Sequence, residues 1–277
     1  MGTRRAPGVS QPRRAKNGKA GRKLMLGPAR VADEAWMIPT WWLNTLVGLF
    51  LLPVAWVLTQ TLFTSFSRVA TENAFWATEE FWFFALGVVL WTLAFFGSIW
   101  VWGGPRPLRV YIFGHELTHA IWVYAMGGRV AKFQVGRDGG YILTDTHNFW
   151  IALAPYFYPL FSVAVIGAYG LVSIFYDVTG HTRYLFALIG ITWAFHMSFT
   201  LWMIPKGQSD LSYHGTFFSL VVIYLMNLLL LTGLLIFAAP EVSFAAFGRD
   251  LVENTVNLAS WVSQRLPSNF GPAPLPR

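Results

Sequence analysis

The sequence predicts an all-α polytopic membrane protein with about six transmembrane helices, a short β-hairpin and a C-terminal amphipathic helix. Three observations lead there. Of the 277 residues, 55% are hydrophobic and 17% aromatic, while only 12% are charged. Several stretches without Lys, Arg, Asp or Glu exceed 18 residues, the length a helix needs to cross the hydrocarbon layer. Within one such region, from Val110 to Gly128, the single charged residue is Glu116, with His115 and His119 around it.

Taken in order, residues 1–35 form the first unit. They are rich in Arg, Lys, Gly and Pro and offer almost nothing to bury, which reads as a disordered basic cytoplasmic tail. Nine of the 20 Lys and Arg fall within residues 1–32, so the net charge of +7 belongs mostly to this tail. Beside a membrane span, such a tail is an orientation signal and a contact for anionic lipid, and no nucleic-acid partner is expected. The first apolar run begins near residue 36, too late for a compact signal peptide.

Residues 36–240 form the transmembrane body. The expected spans are 39–63, opened by Trp41 and Trp42 where an interfacial aromatic belt belongs, and 81–103, closed by Gly103, Gly104 and Pro105. A third, 108–126, carries the histidines and stops at Gly127-Gly128. Residues 129–135 alternate, 137–140 (Arg-Asp-Gly-Gly) suit a tight turn, and 141–144 suit a return strand. The fourth span, 149–176, contains Pro155 and Pro159, which should kink it and release backbone carbonyls that something must satisfy. Spans at 184–204 and 216–238 follow, separated by the broken stretch 205–215. Residues 241–277 read as an amphipathic surface helix, on the spacing of Phe244, Phe247, Leu251, Leu258 and Trp261, followed by a disordered Pro-rich end.

The stretch with chemistry in it is Phe113-Gly-His-Glu-Leu-Thr-His-Ala120. His115 and His119 are four apart and share one helix face, so their imidazoles can hold one zinc ion. Glu116 can then act as the base that takes a proton from a water on the metal. With 6 His and 7 Glu in the chain, chance supplies this pattern about 0.003 times. No basic residue shares the segment, so a simple ion pair does not explain a carboxylate at membrane depth. The absence of Cys excludes thiolate zinc sites, iron–sulfur clusters, disulfides and a Cys nucleophile.

Catalytic zinc takes three protein ligands and keeps a fourth position for water. Asp210, His196, His214, Asp177, Asp145 and His147 are the candidates for the third. Asp210 is favoured, because it sits in a Pro/Gly-interrupted stretch and its charge offsets that of the metal. Its competing role is an N-cap for the following span. His196 and His214 are a possible second shell or an alternative ligand. A polar, water-bearing cavity is expected near Thr118, Tyr213 and Asp210. Counting crossings from an inside tail puts Asp210 on the far side from Arg109. The two then meet only if 205–215 dips inward or if 108–148 is partly re-entrant.

These pieces resemble the site-2 protease family of intramembrane zinc metalloproteases. The likeness rests on FGHELTHAIW on a membrane helix, Gly127-Gly128 before a β-prone segment, Ala152 to Pro155 opening the next span, and Asp210 in MIPKGQSDL. It covers roughly residues 108–235. It implies hydrolysis of peptide bonds in membrane-anchored peptide or protein substrates, with Zn2+ held by His115, His119 and Asp210 and Glu116 as general base. It also implies that the strand segment docks an unwound substrate by adding it to a sheet edge. The chain departs from the family pattern in having Ala154-Pro155 for Gly-Pro and Ser209-Asp210-Leu211 for Leu-Asp-Gly.

Other functions fit the same composition. A catalytically silent membrane scaffold or chaperone of this fold would keep the motif without activity. A transporter could use the buried His and Asp, although a paired set of broken helices is missing. A di-iron desaturase or hydroxylase needs about eight or more His ligands, and six are present.

Overall fold

The computed structural model describes residues 40–71, 78–137, 139–238 and 243–265. The expected basic tail and the Pro-rich end lie outside the described residues. The elements are α1 (Thr40–Thr71), α2 (Glu79–Trp102), α3 (Leu108–Ala125), β1 (Val130–Val135), β2 (Gly140–Thr144), α4 (Phe149–Phe157), α5 (Leu160–Ser173), α6 (Thr182–Met203), α7 (Ser209–Tyr213), α8 (Thr216–Ala238) and α9 (Phe244–Arg265).

Four of these helices, α1, α2, α6 and α8, are long and apolar enough to cross a membrane. A fifth crossing is counted if α4 and α5 are one broken span. The described residues are therefore largely helical, with one small hairpin and several helices fit for a membrane. The motif helix α3 is not among the spanning helices. Its Arg109, His115, Glu116 and His119 dilute the apolar residues.

The fourth expected span is broken rather than kinked. Tyr158, caught before Pro159, is extended (φ −90°, ψ 105°), and α4 and α5 diverge by 74°. A residue preceding proline is driven out of the helical region by the ring, so the break falls there.

Helix directions follow from the side-chain pairs. Glu79 meets Arg183, Trp91 meets Ser198 and Phe95 meets Phe199, so α2 and α6 run parallel. Their backbones touch: a Cβ at Gly87 would strike the Ala187 carbonyl, and one at Gly190 the Phe84 carbonyl. In lipid, where burial from water does not drive association, such close approach lets dispersion contacts hold the pair. Asn44 donates to the His214 carbonyl and Thr59 meets Tyr224, so α1 and α8 are parallel too. The start of α1, the end of α2, the end of α6 and the start of α8 thus share one end of the bundle.

Both ends of α3 also touch that end. Leu108 packs with Trp202 and Met203 in a cluster built on Phe95, Tyr111 and Phe199. Beyond its other end, His147 lies against Tyr213, with ring centroids 4.4 Å apart. The expected span 108–126 is thus not among the helices long and apolar enough to cross, and both its ends lie near one end of the bundle. α3 pairs antiparallel with α4 through Trp122–Trp150 and Met126–Asn148, and the chain returns toward its starting level.

The hairpin expected after α3 is present. β1 and β2 pair antiparallel, from Val130 opposite Thr144 to Val135 opposite Gly140, with one irregularity between Val130 and Lys132. Phe133 packs edge-on against Phe113, which ties the sheet to α3. The C-terminal helix α9 docks on α1. Asp250 accepts hydrogen bonds from Arg68 Nη2 (2.8 Å) and Ser65 Oγ (2.9 Å), and Asn254 donates to Thr61 (3.1 Å). Burial pushes the Asp250 carboxyl up, but the hydrogen bonds from Arg68 and Ser65 outweigh it and hold the group below its ordinary value. Phe247 and Leu251 pack alongside, while Val252 and Val256 stay exposed for lipid.

Candidate metal centre

Three donors converge between α3 and α7. His115 Nε2 lies 3.4 Å from Asp210 Oδ2, and His119 Nε2 lies 3.5 Å from the same oxygen. The three ligand atoms all fall within 4.8 Å of one another, and no other such group of His and carboxylates occurs among the described residues. These separations are long for hydrogen bonds, which prefer 2.7–3.2 Å. They match the spacing of ligands around tetrahedral zinc, where 2.0–2.1 Å bonds set the donors roughly 3.3–3.4 Å apart. The donor set, two imidazoles and one carboxylate, is one that zinc accepts in catalytic sites.

Each ring is held from behind. His119 Nδ1 is 2.7 Å from the Ile151 carbonyl. A carbonyl only accepts, so Nδ1 carries the proton and Nε2 offers its lone pair toward Asp210. That carbonyl is available because its helical partner would be the N–H of residue 155, which is proline. The expected release of carbonyls by the prolines thus has a specific recipient. On the other ring, the Tyr111 hydroxyl lies 3.4 Å from His115 Nδ1. Tyr111 is itself stacked on Phe199 at 4.8 Å.

Asp210 occupies the first turn of the five-residue helix α7. Its other partner is the fully buried Tyr156, whose hydroxyl donates to Oδ2 at 3.1 Å. Tyr156 also meets the His115 ring edge-on. Nothing in the sequence singles out Tyr156. Ile151 could have been found by counting four residues back from Pro155.

Glu116 sits one residue from His115, 7% exposed, and forms no ion pair with Lys or Arg among the described residues. The first residue of β2 passes directly over it. A Cβ at Gly140 would lie 2.6 Å from Glu116 Cγ and 2.9 Å from Oε1. Only a glycine lets the strand run this close to the carboxylate.

The remaining candidates lie elsewhere. Asp145 accepts from the Arg129 backbone N–H at 2.7 Å, and Asp177 from that of Thr179 at 3.1 Å, both at loop ends. His214 is not in the donor group; its ring faces His147 and Phe149. His196 is also outside it, buried in the middle of α6. The cavity expected near Thr118, Tyr213 and Asp210 is found on a different side. It is lined by Thr118 and His115, but also by Tyr111, Tyr158, Phe161 and His196, because the α4–α5 break opens space behind His115. Compared with known protein families, with curated proteins and with solved structures, the chain matches none.

Proposed function

We propose that this protein is an intramembrane zinc metalloprotease, in keeping with its resemblance to the site-2 protease family. The observation that carries the reading is the convergence of His115 Nε2, His119 Nε2 and Asp210 Oδ2 beside Glu116, inside a bundle of apolar helices. His115, His119 and Asp210 would hold the zinc ion, which when bound would supply a water of pKa roughly 7 and a Lewis acid for the scissile carbonyl. Glu116 orients the attacking water, takes its proton and returns it to the departing amine. Tyr156 and the Ile151 carbonyl hold the ligands in place. The hairpin, with Gly140 against Glu116, offers an edge on which an extended peptide can lie.

The same reading gives an orientation. Counted as five crossings (α1, α2, the broken α4–α5, α6 and α8), the helices support a site at the end of the bundle where α1 starts. Arg106, Arg109, Arg129, Lys132, Arg137 and Lys206 lie on the segments at that end, beside Asp145 and Asp210. The opposite end carries Arg68, Arg183 and, on α9, Arg249, but beside them Glu79, Glu80, Asp177, Asp250 and Glu253. The excess of Lys and Arg supports a cytoplasmic site end.

The test is zinc per chain in detergent-purified wild type, His115→Ala and Asp210→Ala. It is followed by cleavage of a membrane-anchored reporter by wild type and Glu116→Gln. The expected result is one zinc in wild type, loss in both ligand variants, and an inactive Glu116→Gln that keeps its metal. Undiminished cleavage by Glu116→Gln would remove the mechanism.

A further inference from the structure

Beside His115, with Asp210 not among its lining, lies a half-open and mostly apolar feature that carries a second imidazole. It is the cavity between α3, the α4–α5 break and α6. About 20 Å³ is open to the centre of a water molecule, room for about one water. Its walls are the rings of Tyr111, Tyr158 and Phe161, and its polar lining is His115, Thr118 and His196.

His196 is the unusual member. It is 7% exposed, on a spanning helix, and its Nε2 forms no hydrogen bond with any described residue. An imidazole nitrogen in that position is costly unless something pairs with it. The ring abuts the Tyr156 carbonyl, which the helix break has released and which also accepts from Asn227 Nδ2 at 3.0 Å. His196 is thus held by the same broken segment that orients the metal donors, but it stands apart from them.

The chemistry of the lining narrows the ligand. There is no carboxylate, Lys or Arg in it, so neither a cation nor an anion is favoured. Two imidazoles without a third donor do not make a metal site. A hydroxyl group fits, because it can donate to or accept from Nε2 in either tautomer, and its small volume suits the space. We propose that this chamber is a binding site for one hydroxyl group, supplied either by a water molecule or by the side chain of a substrate serine or threonine. The water source stands independently of the protease reading; the substrate source rests on it.

The two sources are separated by experiment. Zinc-loaded protein in detergent is footprinted by hydroxyl radicals generated by X-rays in isotope-labelled water. Tyr111 and Phe195 are both buried and line the chamber, while the neighbouring buried Phe199 does not. A resident water is expected to label Tyr111 and Phe195 and to spare Phe199. His196→Leu should lose that labelling, whereas His196→Asn, which keeps a polar group, should retain it. If wild type is unlabelled, the substrate source requires that it prefer Ser or Thr over Ala or Val at a position flanking the cleaved bond. His196→Leu must then lose that preference. Absence of both labelling and preference overturns the proposal. So does labelling that survives His196→Leu, or loss of zinc from that variant, which would make His196 a ligand.

Discussion

His119 Nδ1 donates a hydrogen bond to the Ile151 carbonyl at 2.7 Å, and Pro155 is the reason that carbonyl is free. One missing N–H on α4 therefore sets the tautomer of a ring on α3. The break that follows at Tyr158-Pro159 sends α5 away at 74° and leaves room behind His115. Local chain chemistry in one helix thus shapes both faces of the site on another.

Restoring the missing donor should weaken the site. In Pro155→Ala the new N–H competes with His119 for the Ile151 carbonyl. Zinc affinity, read by competition with a chelator, is expected to fall about ten-fold. The melting temperature of the metal-free protein should not fall, because a helix-interior proline is being removed.

Tyr156→Phe removes the hydroxyl that donates to Asp210 at 3.1 Å and changes little else in volume. Outer partners of metal ligands are worth about 10–100-fold in affinity. Zinc should bind that much more weakly, with Asp210→Ala losing more. Equal affinity in Tyr156→Phe and wild type would show that Asp210 is positioned by α7 alone.

Gly140→Ala acts on Glu116 without touching a metal donor. The added methyl falls 2.6 Å from Glu116 Cγ, so the carboxylate or the strand must move. Displacing a catalytic group by about 1 Å costs on the order of 10²-fold in rate. Reporter cleavage should drop accordingly while zinc per chain stays at the wild-type value.

The cysteine-free chain is a ready background for topology mapping. Arg137→Cys and Lys206→Cys should react with a membrane-impermeant maleimide from one side. Asp177→Cys and Glu253→Cys should react from the other. Reaction of Arg137→Cys and Lys206→Cys from opposite sides would contradict the placing of α3 and the hairpin at the end of the bundle where α6 ends.

Docking of α9 should be acid-sensitive. The folded-state pKa of Asp250 is lowered, so its contribution is complete above the ordinary value of 3.8 and is lost as pH falls through the lower folded value. Hydrogen exchange at α9, taken relative to the intrinsic exchange rate at each pH, should accelerate below about pH 3.8 in wild type. In Asp250→Asn it should be faster throughout and flat across that window.

Much of this was legible from residue order alone. The apolar runs, the stop at Gly127-Gly128, the hairpin between 130 and 144 and the amphipathic last helix are local patterns. In each, the side chains that set the structure lie within a few residues of one another. The spacing of His115, Glu116 and His119 was equally local, since one helical turn is enough to put two imidazoles on one face. The prolines announced that carbonyls would be released.

What residue order left open was direction and distance. An 18-residue helix such as α3 is about 27 Å long, enough to cross the bilayer or to lie obliquely within it. Its length does not choose; its packing on the end of α6, and the contact of His147 beyond the hairpin with Tyr213 of α7, do. Counting crossings put Asp210 opposite Arg109, whereas the parallel packing of α2 with α6 brings both to one end. Tyr156, Gly140 and the chamber beside His196 were invisible for the same reason. Each matters only through a neighbour far away in the chain, and such neighbours are assigned by packing rather than by sequence pattern.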